Sequence, residues 1–502
     1  MNRLLLLLSC LLFYPANHLF SQEFHARVLD AGSKEPVPYA NVLFADNRGV
    51  VTNEEGYFSF TTGQTPELIK ISSMGYELLE LKPEQISETL FLIPASIELK
   101  EVFLSNKNLS AKEIIIKAKE EVENNYDLNL SKKRVFFRES NINYVRNFDL
   151  HVDESTIPGI DQQLMDNIVA EVPKMSDSYK EVLGDLYGNY DSQKFRIIKA
   201  ANLHNPRSTQ TLEELTDRLN KLFMDNLKDK SYLKIRSGII GVKVPADELK
   251  DELVNTSEEK PKKEKTPEEL KKEKIDDEKN LWKNSSSSLS GMLGKMFWRD
   301  NLTFNLFEKT NRYKYELEGY AYIDNSTVYV ISFTPRWGQD FAGKIYINTL
   351  DYGVHRLDYR NVKPLKNFRL FGISATDDVY NGKMIFVKNE DGKYRLSYME
   401  QEKGESFGLD RPLTIIEKNK FVAGRRKQNE LDLDIKLKMS QVQKLQLVVY
   451  ENEQMDRVTY ENLANPGPYE YKTFRLYNPE FWDGNNIMEP NAAIREFTAL
   501  ED

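Results

Sequence analysis

The stretch that decides the fold is residues 24–60, FHARVLDAGSKEPVPYANVLFADNRGVVTNEEGYFSF. Apolar and polar residues alternate in it, the period of strands with one buried face. Phe24, Ala26 and Val28 share one face, and Glu23, His25 and Arg27 the other. Asp30-Ala31-Gly32-Ser33 predicts a turn, with Gly32 supplying a positive φ and the Asp and Ser side chains bonding nearby backbone. Pro36 and Pro38 hold an extended lead into Ala40, Val42 and Phe44. A polar turn ending at Gly56 then separates Val51-Thr52 from the aromatic strand Tyr57-Phe58-Ser59-Phe60. Leu68–Ser73 and Leu90-Phe91-Leu92, with Met74-Gly75-Tyr76 between, continue the pattern. Short strands at this spacing without a long helix predict a small β-sandwich.

The run PVPYANVLF…GVVTNEEGYFSF…IKISSMGYE…IELKEVFL resembles the carboxypeptidase-regulatory-like domain, a transthyretin-like sandwich. Pro38, Ala40, Asn41, Thr52, Gly56, Phe58, Gly75 and Tyr76 stand at its recurring positions, as does the closing Leu99-Lys100-Glu101-Val102. The resemblance implies a seven-stranded β-sandwich over residues 22–104. It also implies a place in the Gram-negative envelope, where such modules precede the plug of TonB-dependent receptors. Neither the plug nor the long barrel follows here, so receptor function is not implied. In carboxypeptidases the module follows a zinc catalytic domain, and nothing catalytic precedes it here. A docking or folding role without chemistry is the expectation.

Met1-Asn2-Arg3 followed by the apolar run Leu4 to Phe13 reads as a signal peptide over residues 1–21, cleaved before Gln22. Leu7-Leu8-Ser9-Cys10 is a rival lipobox, and whether Cys10 is lipidated stays open. Cys10 is the only cysteine, so a chain without the leader has no disulfide and no Cys metal site. The 502 residues, 40% hydrophobic and 29% charged, suit two or three globular domains. A net charge of −9 argues against a nucleic-acid role and against an electrostatic hold on anionic lipid. No later apolar run approaches the ~20 residues of a transmembrane helix.

Residues 105–246 read as a helix-containing first part of a second domain. Ser110 and Glu113 form a capping box, and Ile114, Ile115, Ala118 and Val122 make one helical stripe. Val135–Arg138, Ile142–Tyr144 and Phe148–Val152 read as three strands, and Asp161 to Tyr187 as polar and irregular. Leu212, Leu215, Leu219, Leu222, Phe223 and Leu227 mark a second helix. Residues 247–290 alternate Lys and Glu blocks and end in Ser285–Ser288, which predicts a disordered or transiently helical insertion. Residues 291–502 read as an antiparallel meander running in sequence order. The Asn389-Glu390-Asp391-Gly392 turn is a strong hairpin signal within it. An aromatic tail, Tyr477–Trp482 and Ile487–Pro490, is expected to pack back on that sheet. The fold class is therefore mainly β with an α+β second domain, a curved half-barrel-like sheet with packed helices.

VISFTPRWGQDFAGKIYINTLDYGVHRLDY, residues 330–359, is similar to a segment of envelope proteins of unassigned function that carry the same module. Phe341, Gly343, Ile345, Tyr346, Ile347 and Arg356 carry the likeness. It implies the open sheet of lipoprotein carriers, a half-barrel that can hold acyl chains against a helix.

His151-Val152-Asp153-Glu154 spells the H-x-x-E pair of zinc carboxypeptidases. A strand spacing of three puts His151 and Glu154 on opposite faces, and neither His204 nor His355 offers a matching third ligand. No nucleophile elbow, phosphate loop or HExxH is present. No catalytic, cofactor-binding or metal residue is assigned, and no cofactor is implied. The leading expectation is a non-enzymatic exported envelope protein, periplasmic or associated with the outer membrane. It would serve as a docking or accessory module for an outer-membrane protein. A periplasmic lipid or lipoprotein carrier using the half-barrel cavity is the alternative, and an unrecognised hydrolase the third.

Overall fold

The computed structural model describes residues 22–45, 48–95, 109–228, 230–238, 240–246, 267–323, 326–389, 391–419, 421, 427–467 and 469–498. The expected signal peptide, Cys10 and Leu99–Val102 lie outside them. The described residues form two compact units. The first draws on Met1–Ala95, Ile323–Asn325 and Pro479–Glu489, and the second on Ser96–Tyr322, Ser326–Asn478 and Pro490–Asp502.

In the first unit, β1 (Gln22–Asp30) pairs antiparallel with β4 (Tyr57–Thr62) and parallel with β7 (Thr89–Leu92). A second sheet runs β3 (Arg48–Val51), β2 (Asn41–Ala45), β5 (Ile69–Ser72) and β6 (Leu79–Leu81). These seven strands are the predicted sandwich. Ala26, Val28, Phe58 and Phe60 are buried from one sheet, and Val42, Phe44, Ile69 and Ile71 from the other. The Phe44 and Phe60 rings stack at 4.2 Å.

The positions carrying the resemblance have specific tasks. Buried Thr52 accepts a hydrogen bond from the Ala40 N–H and donates one to the Val37 carbonyl, both 2.8 Å. Buried Asn53 accepts from the Glu55 and Tyr57 N–H groups at 2.9 Å. The Tyr76 hydroxyl donates to Asp30 at 3.0 Å. The turn after β1 closes differently from expectation. Asp30 accepts from the Gly32 and Ser33 N–H groups, but the positive φ of 62° falls on Lys34, not on Gly32.

The Pro479–Glu489 part of the aromatic tail belongs to this unit, not to the second sheet. Asn486 accepts from the Thr61 N–H of edge strand β4 at 2.7 Å, and Glu489 pairs with Ser59. A polar side chain thereby blocks an edge donor that is otherwise open to pairing with another strand.

The second unit is a large antiparallel sheet, not closed into a barrel. Its strands are β8 (Ser131–Ser155), β9 (Met175–Gly188), β10 (Gln193–His204), β11 (Ser231–Ser237), β12 (Ile240–Pro245), β13 (Tyr313–Ile323) and β14 (Ser326–Pro335). Then come β15 (Phe341–Asn348), β16 (Val354–Asn361), β17 (Asn367–Leu370), β18 (Ile373–Lys388), β19 (Tyr394–Asn419), β20 (Lys427–Gln454) and β21 (Lys472–Phe474). Pairing runs β21, β10, β9, β8, β20, β19, β18, β16, β15, β14. The β11–β12 hairpin pairs onto the far half of β19, and β17 folds back onto the start of β18. The meander thus keeps sequence order only up to β20. The earlier strands β8 to β10 continue it.

Helix α1 (Ala111–Glu120) has the predicted Ser110–Glu113 capping box. Three expectations for this unit need correction. The three strands read between Val135 and Val152 are one strand, because bulges at Arg146 and Asp153 absorb the changes of alternation. The stretch 161–187 is regular: Asp161 caps α2 (Gln162–Glu171) by accepting from Leu164 N–H at 2.9 Å, and β9 follows. Helix α3 (Pro206–Asn226) comes next. The latter part of the expected disordered insertion is helix α4 (Pro267–Leu293), whereas 247–266 lie outside the described residues. Its final turns bury Leu289, Met292 and Leu293, and buried Ser285 accepts a 2.8 Å bond from the Tyr471 hydroxyl. That burial orders a segment whose composition alone predicts disorder.

Gly56 sits at φ 82°, and a Cβ there would lie 2.4 Å from the Val28 carbonyl oxygen. Gly56→Ala is expected to destabilise the sandwich by on the order of 2–3 kcal/mol through strain and displacement of β1. Urea unfolding followed by circular dichroism checks this, and an unchanged midpoint would refute it.

Candidate functional site on the inner face of the open sheet

One face of the second unit's sheet carries both of its apolar cores. The larger fills the curve of the sheet with α1 (Ile114, Ile115, Ala118), the end of α4 and the segment after it. Met296, Phe297, Phe304, Leu306 and Phe307 of that segment are all buried. Phe304 stacks on Tyr359 at 4.0 Å, and Phe297 meets Tyr126 and Phe386 edge-on at 5.7 and 5.9 Å. The hollow that would hold an acyl chain in a half-barrel carrier holds this chain's own aromatic side chains. Gly343 of the 330–359 motif is required by closeness, since a Cβ there would lie 2.0 Å from the Asp358 carbonyl oxygen. Phe341, Ile345 and Ile347 of the same motif are core residues.

A smaller core lies toward the other end, where α2 and α3 pack Leu164, Met165, Ile168 and Leu215 on Leu431 and Leu433. The cavity bordered by Ile157, Leu227, Leu233 and Ile415 there has a volume of about 10 Å³, room for one water.

Between the two cores a polar row gives way to a bare apolar one. Lys295 donates to Gln401 at 2.6 Å, and Gln401 donates to the Tyr380 hydroxyl at 3.1 Å. Burial, then the charge of nearby Lys403, pushes the Lys295 ammonium down to about 8. Further along the strands, cross-strand partners align Phe368, Ala375, Phe407, Met439 and Val145 in one row. Phe368, Phe407 and Met439 are exposed. Such a row can receive an apolar surface, and it holds no nucleophile or general base. Sequence reading missed it, although Phe407, Leu409, Leu413 and Ile415 already show the two-residue period within a charged stretch.

The histidines are not gathered. The bulge at Asp153 turns His151 and Glu154 to the same face of β8, opposite Asp434 and Asp432, which corrects the opposite-face expectation. His151 is exposed, its Nε2 3.8 Å from Asp153. His204 ends β10, and His355 is fully buried on β16. Among the described residues no group of three potential ligands could hold a metal ion.

His355 Nε2 lies 3.3 Å from the Tyr394 hydroxyl, and its Nδ1 finds no hydrogen-bond partner among the described residues. Burial pushes its pKa down to about 4. The unfolded chain therefore binds more protons than the folded one between about pH 6.5 and 4. Stability is full above about pH 6.5, falls as pH drops toward 4, and loses on the order of 3 kcal/mol over that window from this residue. His355→Leu should flatten that part of the stability–pH curve in urea titrations, and an unchanged slope would contradict the assignment.

No described helix is long and apolar enough to cross a membrane. No curated protein matches the chain in sequence. Two solved structures overlap it loosely. A LolA superfamily protein from Nitrosomonas europaea is 10% identical over 69% of this chain and 94% of its own, with a TM-score of 0.16. The MucA/MucB complex of Pseudomonas aeruginosa gives 6% identity, 65% and 93% coverage, and a TM-score of 0.17. Superpositions this loose carry no argument about the second unit. Residues 25–104 match the CarboxypepD_reg-like domain family, and the N-terminal sandwich is a domain of that kind.

Proposed function

We propose that this chain is a non-enzymatic, exported cell-envelope protein that docks to an outer-membrane partner. The observation that carries the reading is the CarboxypepD_reg-like domain at residues 25–104, a type of module typical of envelope proteins. The filled hollow of the second unit supports a scaffolding part for the sheet. The outer face of β1, β4 and β7 offers a surface for the partner, with Tyr57, Phe91 and Ile93 exposed on the module. A second reading, a carrier of lipid or lipoprotein acyl chains, draws on the bare row around Phe407 and Met439, not on an internal cavity.

Cell fractionation with affinity purification from gently solubilised envelopes tests the first reading. The chain is expected in the envelope fraction with one outer-membrane protein in defined ratio, and Phe91→Glu should reduce that recovery at least tenfold. A wholly soluble chain without a partner would contradict it. Stoichiometric extracted lipid in place of a protein would favour the carrier. Should any hydrolytic activity be found, His151→Ala and Glu154→Ala are expected to leave it unchanged. A loss above a hundredfold would restore the zinc reading.

A further inference from the structure

We propose that the adjoining tips of two hairpins, β17–β18 and β11–β12, form a docking edge for a bilayer surface bearing anionic headgroups. Both hairpins pair with the same side of β19, one ending at Leu409 and the other beginning at Thr414. Between those contacts, Arg411 ties the tips together. Its aliphatic stem passes the Gly372 turn, where a Cβ would come 2.9 Å from Arg411 Cγ, and its guanidinium donates to the Ser237 carbonyl. Asp410 N–H donates to the Gly372 carbonyl at 2.8 Å. Arg411 thus joins the two hairpins beside their tips through Ser237 and Gly372.

The edge is apolar where water meets it. Phe371 is 60% and Ile240 61% exposed, and Phe368, Leu370 and Val242 are each about half exposed. Phe371 also occupies the first position of a two-residue turn with Gly372, at φ 47° and 77°. Asn or Gly suits that position. A bulky aromatic there is strained, costs stability and gains no core packing. Strain retained at an exposed tip points to use of the side chain by something outside the fold.

The charges around the edge choose the partner. On the opposite face of the β11–β12 hairpin stand Lys234, Arg236 and Lys243, with Lys234 and Lys243 directly paired across it. Lys418, whose cross-strand partner is Tyr232, adds a further cation, and burial followed by the charges of Arg236, Lys418 and Lys243 lowers the Lys234 pKa. Arg369 lies between Phe368 and Leu370 on β17. Lys234, Arg236, Lys243 and Arg369 make no ion pair with a described residue. The carboxylates on that face, Asp410, Glu430, Asp432 and Asp434, belong to β19 and β20; Glu430 is paired with Lys427, and Asp432 accepts from Thr414 at 2.8 Å. Apolar tips backed by cations that are unpaired among the described residues fit the boundary between acyl chains and anionic headgroups. Long Lys and Arg side chains can reach the headgroups while the tips enter. The net charge of −9 is an average that this edge does not follow.

Flotation of the full chain with protein-free vesicles tests this independently of any protein partner. Phosphatidylethanolamine vesicles containing one fifth phosphatidylglycerol are expected to bind it, and binding should weaken at least tenfold from 50 to 500 mM NaCl. Phe371→Asn with Val242→Thr, both suited to their backbone positions, should lower binding tenfold or more with circular dichroism unchanged. Lys234→Gln with Lys243→Gln should abolish the preference for phosphatidylglycerol over neutral phosphatidylcholine vesicles. Absence of vesicle binding would overturn the proposal, as would variants that bind like the wild type. Loss of a protein partner from the Phe371→Asn/Val242→Thr chain, with no vesicle binding by the wild type, would reassign the edge to a protein interface and also overturn it.

Discussion

The second unit depends on one constraint, the parity of three very long strands. β8, β19 and β20 run 25, 26 and 28 residues, and each must keep its apolar side chains on one face throughout. On β20, Leu431, Leu433 and Ile435 of the smaller core and Leu445 and Leu447 of the larger are all odd positions. β19 starts on even positions with Tyr394 and Leu396, and the irregularity at Ser397 moves it to the odd positions Met399, Leu413 and Ile415. β8 switches from Val135 and Phe137 to Phe148, Leu150 and Val152, and the bulge at Arg146 is what restores the common face. A one-residue slip without that bulge would turn one core to solvent.

From that parity follow the filled and bare regions of the inner face. Where helices and the 294–310 segment are available, the apolar rows are covered. Where no described residue covers them, the row through Phe407 and Met439 and the hairpin edge beside it are exposed. The outer face is treated differently. Arg138 and Glu181, almost wholly buried on it, pair at 2.7 Å. Asp185 is held below the usual carboxylate range because the bonds and charges of Arg134 and Arg196 outweigh its burial. Removing one partner of such a buried pair leaves an uncompensated charge in the interior and is strongly destabilising.

The sandwich was legible because its alternation is local and its special positions are chemically narrow. Thr52 needs a hydroxyl that both donates and accepts, and Gly56 needs the absence of a Cβ. The hairpin at residues 388–394 was legible for the same reason, with Lys388 pairing Tyr394 across the turn. The long strands were not, because charged residues occupy the outer face and the polar row of the inner one. Two bulges also shift the phase of β8, and no local signal marks them. Helix α4 hid because, among its described residues, only those of the last turns are buried, and its serines read as a linker. The bare row was hidden in another way, since exposure depends on what fails to cover a strand. No window of sequence contains that information.

The proposed docking role puts the partner-facing surface on the CarboxypepD_reg-like domain. A photo-crosslinking amino acid placed at Phe91, exposed on β7, tests it most directly in intact cells. The account predicts one discrete adduct with an outer-membrane protein, absent when the crosslinker is moved to buried Phe58. Adducts arising only from positions on the second unit, with Phe91 silent, would contradict it.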